Sequence, residues 1–174
     1  MQPSSIARPE ISEYASYYGT YVQLVPEEDI LRAMKLQLEE TLQFFRTLPE
    51  SAGNKRYAPD KWSIKEVIGH MIDAERVFAQ RALFFARKCA SPLPGYEQEE
   101  WTAAATFGEA ALKDLISEFE LVRRSNIYFF QGLSEEAWTR RGIASDCEFT
   151  VRSLAYITLG HERHHMKILR SRYL

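Results

Sequence analysis

The stretch Leu159-Gly160-His161-Glu162-Arg163-His164-His165 holds three of the chain's four histidines. It lies in a segment where Leu154, Ile157, His161, Ile168 and Leu169 recur at helical spacing. In a helix, residues four apart stand one above the other, so His161 and His165 can bind one metal ion as a pair of neutral imidazoles. Counting about 100° per residue from His161 puts His165 at about +40° and His164 at about −60°. The mean direction of Leu154, Ile157, Ile168 and Leu169 is about +10° by the same count. His165 therefore points into the apolar face and His164 sits on its shoulder. The bland alternative makes His161 a satisfied core histidine and leaves the other two on the surface. The fourth histidine, His70, lies in a second strongly helical segment, and the expected fold packs that helix so that His70 stands beside the pair.

The other helices follow from this one. A first helix is predicted over residues 26–48, opened by Pro26, with Glu27, Glu28 and Asp29 at its positive end and Ile30, Leu31, Met34, Leu38, Leu42 and Phe45 as its buried stripe. The second has the clearest start in the chain, Trp62-Ser63-Ile64-Lys65-Glu66-Val67. Ser63 and Glu66 make a capping box there, and Trp62 can staple onto Val67. Pro92, Pro94 and Gly95 stop it. A third helix is expected from Thr106, capped with Glu109, to Gly132, and a short helical turn at Ser134–Trp138. Residues 142–149 read as a loop, and Thr150 caps the last helix over 151–171. The connection 91–106 is longer than two antiparallel helices need, which suggests a crossover or a loop covering a site.

Four long amphipathic helices without sustained strand alternation define an all-α, four-helix bundle. The bundle is expected over residues 26–174, with an arm over 1–25. Pro3 and Pro9 argue against an early helix in that arm. Tyr14, Tyr17, Tyr18 and Tyr21 can pack it against the bundle or line a ligand pocket.

A chain of 174 residues supports one domain with a sizeable core. The formal charge, 22 − 24 = −2, is nearly neutral and spread along the chain. This speaks against a nucleic-acid surface. The pairs Arg123-Arg124 and Arg140-Arg141 read as solvated. No apolar run approaches a membrane span, and the N-terminal stretch lacks the apolar core of a secretory signal. Cys89 and Cys147, far apart and outside any C-x-x-C spacing, fit reduced thiols in a cytoplasmic protein.

Bundle interiors often hold metal sites built from facing helices. Three imidazoles, His70, His161 and His165, with no fourth protein ligand in view, leave a coordination position open. That favours catalysis over a structural site. Zinc and nickel both suit such ligands. Asp73, one turn beyond His70, Asn126, on the inner face of the third helix, and Glu162, next to His161, are candidates to orient the ligands. His161-Glu162-Arg163-His164-His165 matches the His-Glu-x-x-His protease pattern literally. The chain shows no sheet of the kind that surrounds that pattern, and Glu162 falls about 100° from His161, at the helix edge rather than over the metal.

Four stretches together resemble the DinB-like superfamily of metal-binding four-helix bundles: Lys61-Trp62-Ser63-Ile64-Lys65-Glu66-Val67-Ile68-Gly69-His70, Asp73-Ala74-Glu75-Arg76, Leu93-Pro94-Gly95-Tyr96 and Gly160-His161-Glu162-Arg163-His164-His165. The resemblance runs from about Tyr14 to Leu174. It implies metal ligation by His70, His161 and His165, which agrees with the choice from helical angles, and it implies homodimers formed through helix faces. Relatives in that superfamily include S-transferases that use bacillithiol, mycothiol or glutathione, a maleylpyruvate isomerase, and metal-dependent hydrolases. The expected function is accordingly a metal-dependent enzyme acting on a small molecule, with a low-molecular-weight thiol as co-substrate for S-transfer. The alternatives are a hydrolase that activates bound water and a non-catalytic bundle that binds a metal or small ligand.

Overall fold

The computed structural model describes residues 6–174; the Pro3 end of the arm lies outside them. Two 3-10 turns, Ile11–Glu13 and Ser16–Tyr18, lead into a short helix α1 (Gly19–Val22). The long helices are α2 (Ile30–Phe45) and α3 (Ile64–Ala86). After a short α4 (Gln98–Ala104) come α5 (Leu112–Gln131) and the single turn α6 (Glu135–Trp138). A hairpin of β1 (Arg141–Ala144) and β2 (Cys147–Thr150) precedes α7 (Val151–Ile168), which widens into a π-helical turn, Leu169–Tyr173. Helices α2, α3, α5 and α7 form a four-helix bundle. Helix α3 packs on α7 and α5, and α2 packs on α5 and α7. No helix among the described residues is long and apolar enough to cross a membrane.

Local signals set two of the starts. The Ser63–Glu66 capping box opens α3, and Thr150 with Ser153 makes another at α7. The other two starts are corrected by tertiary contacts. Helix α2 begins at Ile30, not Pro26, because the Asp29 carboxylate caps the Arg32 amide at 3.0 Å. The preceding residues serve other partners: the carbonyls of Glu27 and Glu28 accept from the Tyr156 hydroxyl, and the Glu27 carboxylate binds Arg163. Helix α5 begins at Leu112 rather than Thr106. Thr106 opens only a 3-10 turn and makes no side-chain cap, whereas the Glu50 carboxylate accepts the Leu112 amide at 2.9 Å from across the fold.

The expected loop over 142–149 is the antiparallel hairpin, with Arg141 opposite Thr150 and Ala144 opposite Cys147. Its two turn residues, Ser145 and Asp146, take left-handed conformations at φ 51° and 58°, the geometry that matches strand twist in a two-residue turn. Each strand is only four residues long, too short for alternation to declare itself. The connection after α3 joins this hairpin: Leu93 donates to the Ile143 carbonyl at 2.9 Å and its own carbonyl accepts from Ser145 at 3.1 Å.

The arm wraps the outside of α7. Arg8 donates to the Val22 and Val25 carbonyls, and Glu13 takes hydrogen bonds from Thr150 and Arg152 at the start of α7. A glycine allows the closest approach. A Cβ on Gly160 would stand 2.1 Å from the Tyr21 carbonyl oxygen, so α1 lies directly on α7 one residue before His161.

Candidate metal centre

Helices α3 and α7 bring His70, His161 and His165 together. All three are buried, and one ligand nitrogen from each lies within 4.8 Å of the others. His161 Nε2 stands 3.0 Å from His70 Nε2 and 3.1 Å from His165 Nε2. Imidazole nitrogens held about 2.0–2.1 Å from one ion stand about 2.8–3.4 Å apart at octahedral to tetrahedral angles. Both His161 separations fall within that span and the three nitrogens all lie within 4.8 Å of one another, so the donor set fits a divalent ion.

The electrostatics agree. Burial pushes the His70 pKa down to about 4, helped by His164. Burial also pushes His161 and His165 well below the usual imidazole range, and the neighbouring imidazoles add to it. The three rings are therefore neutral at pH 7, the form that ligates metal.

Aromatic rings wall the cluster. The Trp62 ring lies 4.8 Å from His70, with the Trp62 carbonyl held by the Tyr173 hydroxyl at 2.5 Å. Tyr21 lies 5.3 Å from His161, and Phe78 5.7 Å from it. His164 is half-buried against Tyr21 and stands outside the trio, on the shoulder that the helical angles give it. A pocket of ≈ 280 Å³ reaches His161 between Tyr17, Tyr18, Tyr21, Phe78 and Tyr96, with Glu97 and Gln98 at its rim. The arm tyrosines thus do both things considered for them: they pack against the bundle and line a cavity. Tyr17 and Tyr21 share a hydrogen bond of 3.2 Å between their hydroxyls. Burial raises the pKa of Tyr21 and Tyr96, so both remain phenols.

The three residues considered as supports for the ligands sit elsewhere. Asp73 is half-exposed, pairs with Arg76 at 3.7 Å, and makes no hydrogen bond to His70. Asn126 donates to Glu75 Oε1 at 3.2 Å. Glu162 is not at the helix edge; it is buried in the bundle interior, turned away from the imidazoles. Its Oε2 accepts from Arg123 Nη1 at 2.6 Å and its Oε1 from the Thr41 hydroxyl at 2.5 Å. That carboxylate is engaged and cannot act as the base of a His-Glu-x-x-His site.

Arg123 corrects the reading of Arg123-Arg124 as a solvated pair. Arg124 is exposed, but Arg123 has 0% exposure. Its Nε and Nη2 grip Glu75 at 2.6 and 2.9 Å while Nη1 holds Glu162. Burial works against the guanidinium's charge, but the two carboxylates outweigh it and raise its pKa. Burial raises Glu162, against the pull of Arg123 and Thr41. The signal was present in the sequence. Arg123 lies four residues after Phe119 and seven before Phe130, in the middle of the apolar stripe of α5, where a charge needs a buried partner.

The family profile described as the DinB superfamily matches residues 33–169. No curated protein sequence matches the chain. Among solved structures, YfiT from Bacillus subtilis, described as a probable metal-dependent hydrolase with an unusual four-helix bundle topology, aligns with a TM-score of 0.67 at 14% identity. That alignment covers 97% of this chain and 95% of YfiT. A mutant of the mycothiol-dependent maleylpyruvate isomerase aligns with a TM-score of 0.68 at 11% identity, over 83% of this chain and 61% of that one. At these identities the two structures establish a shared fold.

Proposed function

This chain belongs to the DinB superfamily, and from that premise we propose that it is a metal-dependent enzyme whose His70, His161 and His165 hold one zinc or nickel ion. The observation that carries this reading is the convergence of three buried, neutral imidazoles that no carboxylate joins among the described residues. Three protein ligands leave room for water or substrate. Bound there, a divalent ion supplies Lewis acidity, which lowers the pKa of a thiol or a water and makes either a nucleophile at neutral pH.

The reaction best supported is S-transfer from a low-molecular-weight thiol to a small electrophile. Glu162, the one carboxylate adjacent in sequence to a ligand, is committed to Arg123 and Thr41, so it is not free to activate a bound water as a base. Thiol activation by a metal needs none. The aromatic pocket at His161 then receives the electrophile, and the Tyr17–Tyr21 hydroxyl pair offers it a neutral hydrogen-bond donor. The mycothiol dependence of the isomerase fold-neighbour fits this reading. Hydrolysis by activated water is the second reading, supported by the description of YfiT. We place the protein in the cytoplasm, where free Cys89 and Cys147 stay reduced, and as a homodimer on the family resemblance.

Elemental analysis of the purified protein beside His161→Ala tests the site; equal metal content in both refutes it. The metal-loaded protein is then given bacillithiol, mycothiol or glutathione with a chromogenic electrophile. Thiol-dependent turnover supports S-transfer. Metal-dependent ester or amide cleavage without thiol moves the assignment to hydrolysis. Bound metal with neither activity leaves the non-catalytic bundle.

A further inference from the structure

The ligand-bearing helices α3 and α7 meet along a seam with imidazoles on one side and carboxylates on the other. Glu75 follows His70 by five residues, about 140° around α3 by helical count. Glu162 follows His161 by one, about 100° around α7. Both carboxylates therefore turn toward the bundle interior, where the Arg123 guanidinium of α5 joins them. Glu75 is held by a two-pronged contact, Nε to Oε1 at 2.6 Å and Nη2 to Oε2 at 2.9 Å. Glu162 is held by Nη1 at 2.6 Å, and its other oxygen is fixed by Thr41 of α2. Asn126, one turn along α5, adds a bond to Glu75.

A guanidinium is planar and rigid, and its donors point in fixed directions. Two carboxylates bonded to different edges of one guanidinium cannot change their separation without breaking a charge-assisted bond in a dry interior. Helix α5 contributes no candidate ligand of its own, yet it bonds to both helices that do.

We propose that Arg123 is the positioning residue of the metal centre: by clamping Glu75 and Glu162 it sets the spacing and rotation of α3 against α7, and so the distance of His70 from the His161–His165 pair. The proposal rests on metal binding by those three histidines. Loss of Arg123 frees α3 and α7 to rotate, so the site loses its geometry before the bundle loses its fold.

Cobalt(II) is the probe, because its visible d–d bands report ligand number and geometry. Affinity and spectrum are compared for the wild-type protein, Arg123→Met, Arg123→Lys and Leu42→Ala, the last a buried apolar α2 residue that follows Thr41 and makes no hydrogen bond in the clamp. The expected result is a loss of cobalt affinity of about tenfold to hundredfold in Arg123→Met, the range seen when groups behind metal ligands are removed, with altered bands. Arg123→Lys keeps the charge but not the fork and is expected to change the bands in the same direction. Leu42→Ala is expected to lower the melting temperature with wild-type bands and affinity. Wild-type bands and affinity in Arg123→Met overturn the proposal, as does an equal loss of affinity in Leu42→Ala. If Arg123→Met does not fold, Arg123→Lys decides by the same criteria. Absence of cobalt binding in the wild-type protein, equal to that of His161→Ala, refutes the metal reading itself and is a separate result.

Discussion

Two buried polar clusters lie on opposite sides of the α3–α7 seam, and they are built on opposite principles. Around Arg123, charges are paired and each carboxylate oxygen of Glu75 and Glu162 accepts a hydrogen bond. At the imidazoles, His161 Nε2 faces two other ring nitrogens at 3.0 and 3.1 Å. A neutral ring nitrogen either donates or accepts, so one atom cannot form two good bonds there. Buried polar groups are ordinarily satisfied. A closed network is therefore read as scaffold, and an open one as a place for something else, in the proposed function a cation.

The largest expected effect breaks that contrast at its open end. His161→Ala should reduce metal content from about one ion per chain to background, because two imidazoles on different helices make a poor site. Elemental analysis reads this directly. The stability of the metal-free protein should fall by less than in Arg123→Met, since the neutral ring gives up at most one good hydrogen bond and leaves no buried charge unpaired. If the metal-free variant loses as much stability as Arg123→Met, the imidazoles are scaffold after all.

Next comes the closed cluster. Arg123→Met leaves two buried carboxylates without their counter-charge and should cost about 3–5 kcal/mol. Replacing the three together, Glu75→Leu, Arg123→Met and Glu162→Leu, should cost less than the single change, because no uncompensated charge remains. Urea denaturation of the two variants measures the order. A triple variant that is the less stable of the two would show that the ion pairs are net stabilising.

How much of this was readable in advance depends on whether the cause is local. The starts of α3 and α7 are written in adjacent residues, Ser63 with Glu66 and Thr150 with Ser153. The start of α5 is not, because its cap is Glu50, sixty-two residues away. The convergence of three imidazoles was legible from spacing plus the requirement that helices pack. The inward turn of Glu162 is not legible locally, because helical angle alone puts it at the edge of α7 and the charge that draws it inward, Arg123, reads as half of a solvated basic pair. Reading the period of α5 instead of the local charge run would have exposed it. The hairpin stayed hidden because four-residue strands carry too little pattern, although Ser145-Asp146 is suitable turn chemistry.

A smaller effect tests the aromatic cover over the open cluster. In Gly160→Ala the new methyl would meet the Tyr21 carbonyl at 2.1 Å, so α1 must move off α7. Overpacking of this kind costs about 1–3 kcal/mol. Because Tyr21 walls the pocket at His161, the variant should also lose turnover of the electrophile, with metal content unchanged. Loss of metal along with turnover would show that the arm supports the ligands themselves.

The smallest effect concerns how the arm is tied to the start of α7. Glu13 accepts hydrogen bonds from the Thr150 hydroxyl and from Arg152 Nε, each at 2.7 Å, and from Arg152 Nη2. Burial alone would raise its pKa, but those bonds and the attraction of Arg152 outweigh burial and hold it below the usual 4.5. A carboxyl whose folded pKa lies below its unfolded value binds fewer protons when folded. Its contribution is complete above the unfolded value and is lost as pH falls through the folded one. The stability gap between wild type and Glu13→Gln, followed by urea midpoint, should therefore be widest near pH 7 and narrow steadily toward pH 3. The arm should then become the first segment cut by protease in acid, since the other ties between it and the rest of the fold include only single hydrogen bonds from Arg152, Arg141 and Arg163 to the Ala7, Ser12 and Leu24 carbonyls, with tyrosine packing. A gap that stays constant across that range would mean that the shape of the side chain, and not its charge, binds the arm to the histidine-bearing helix.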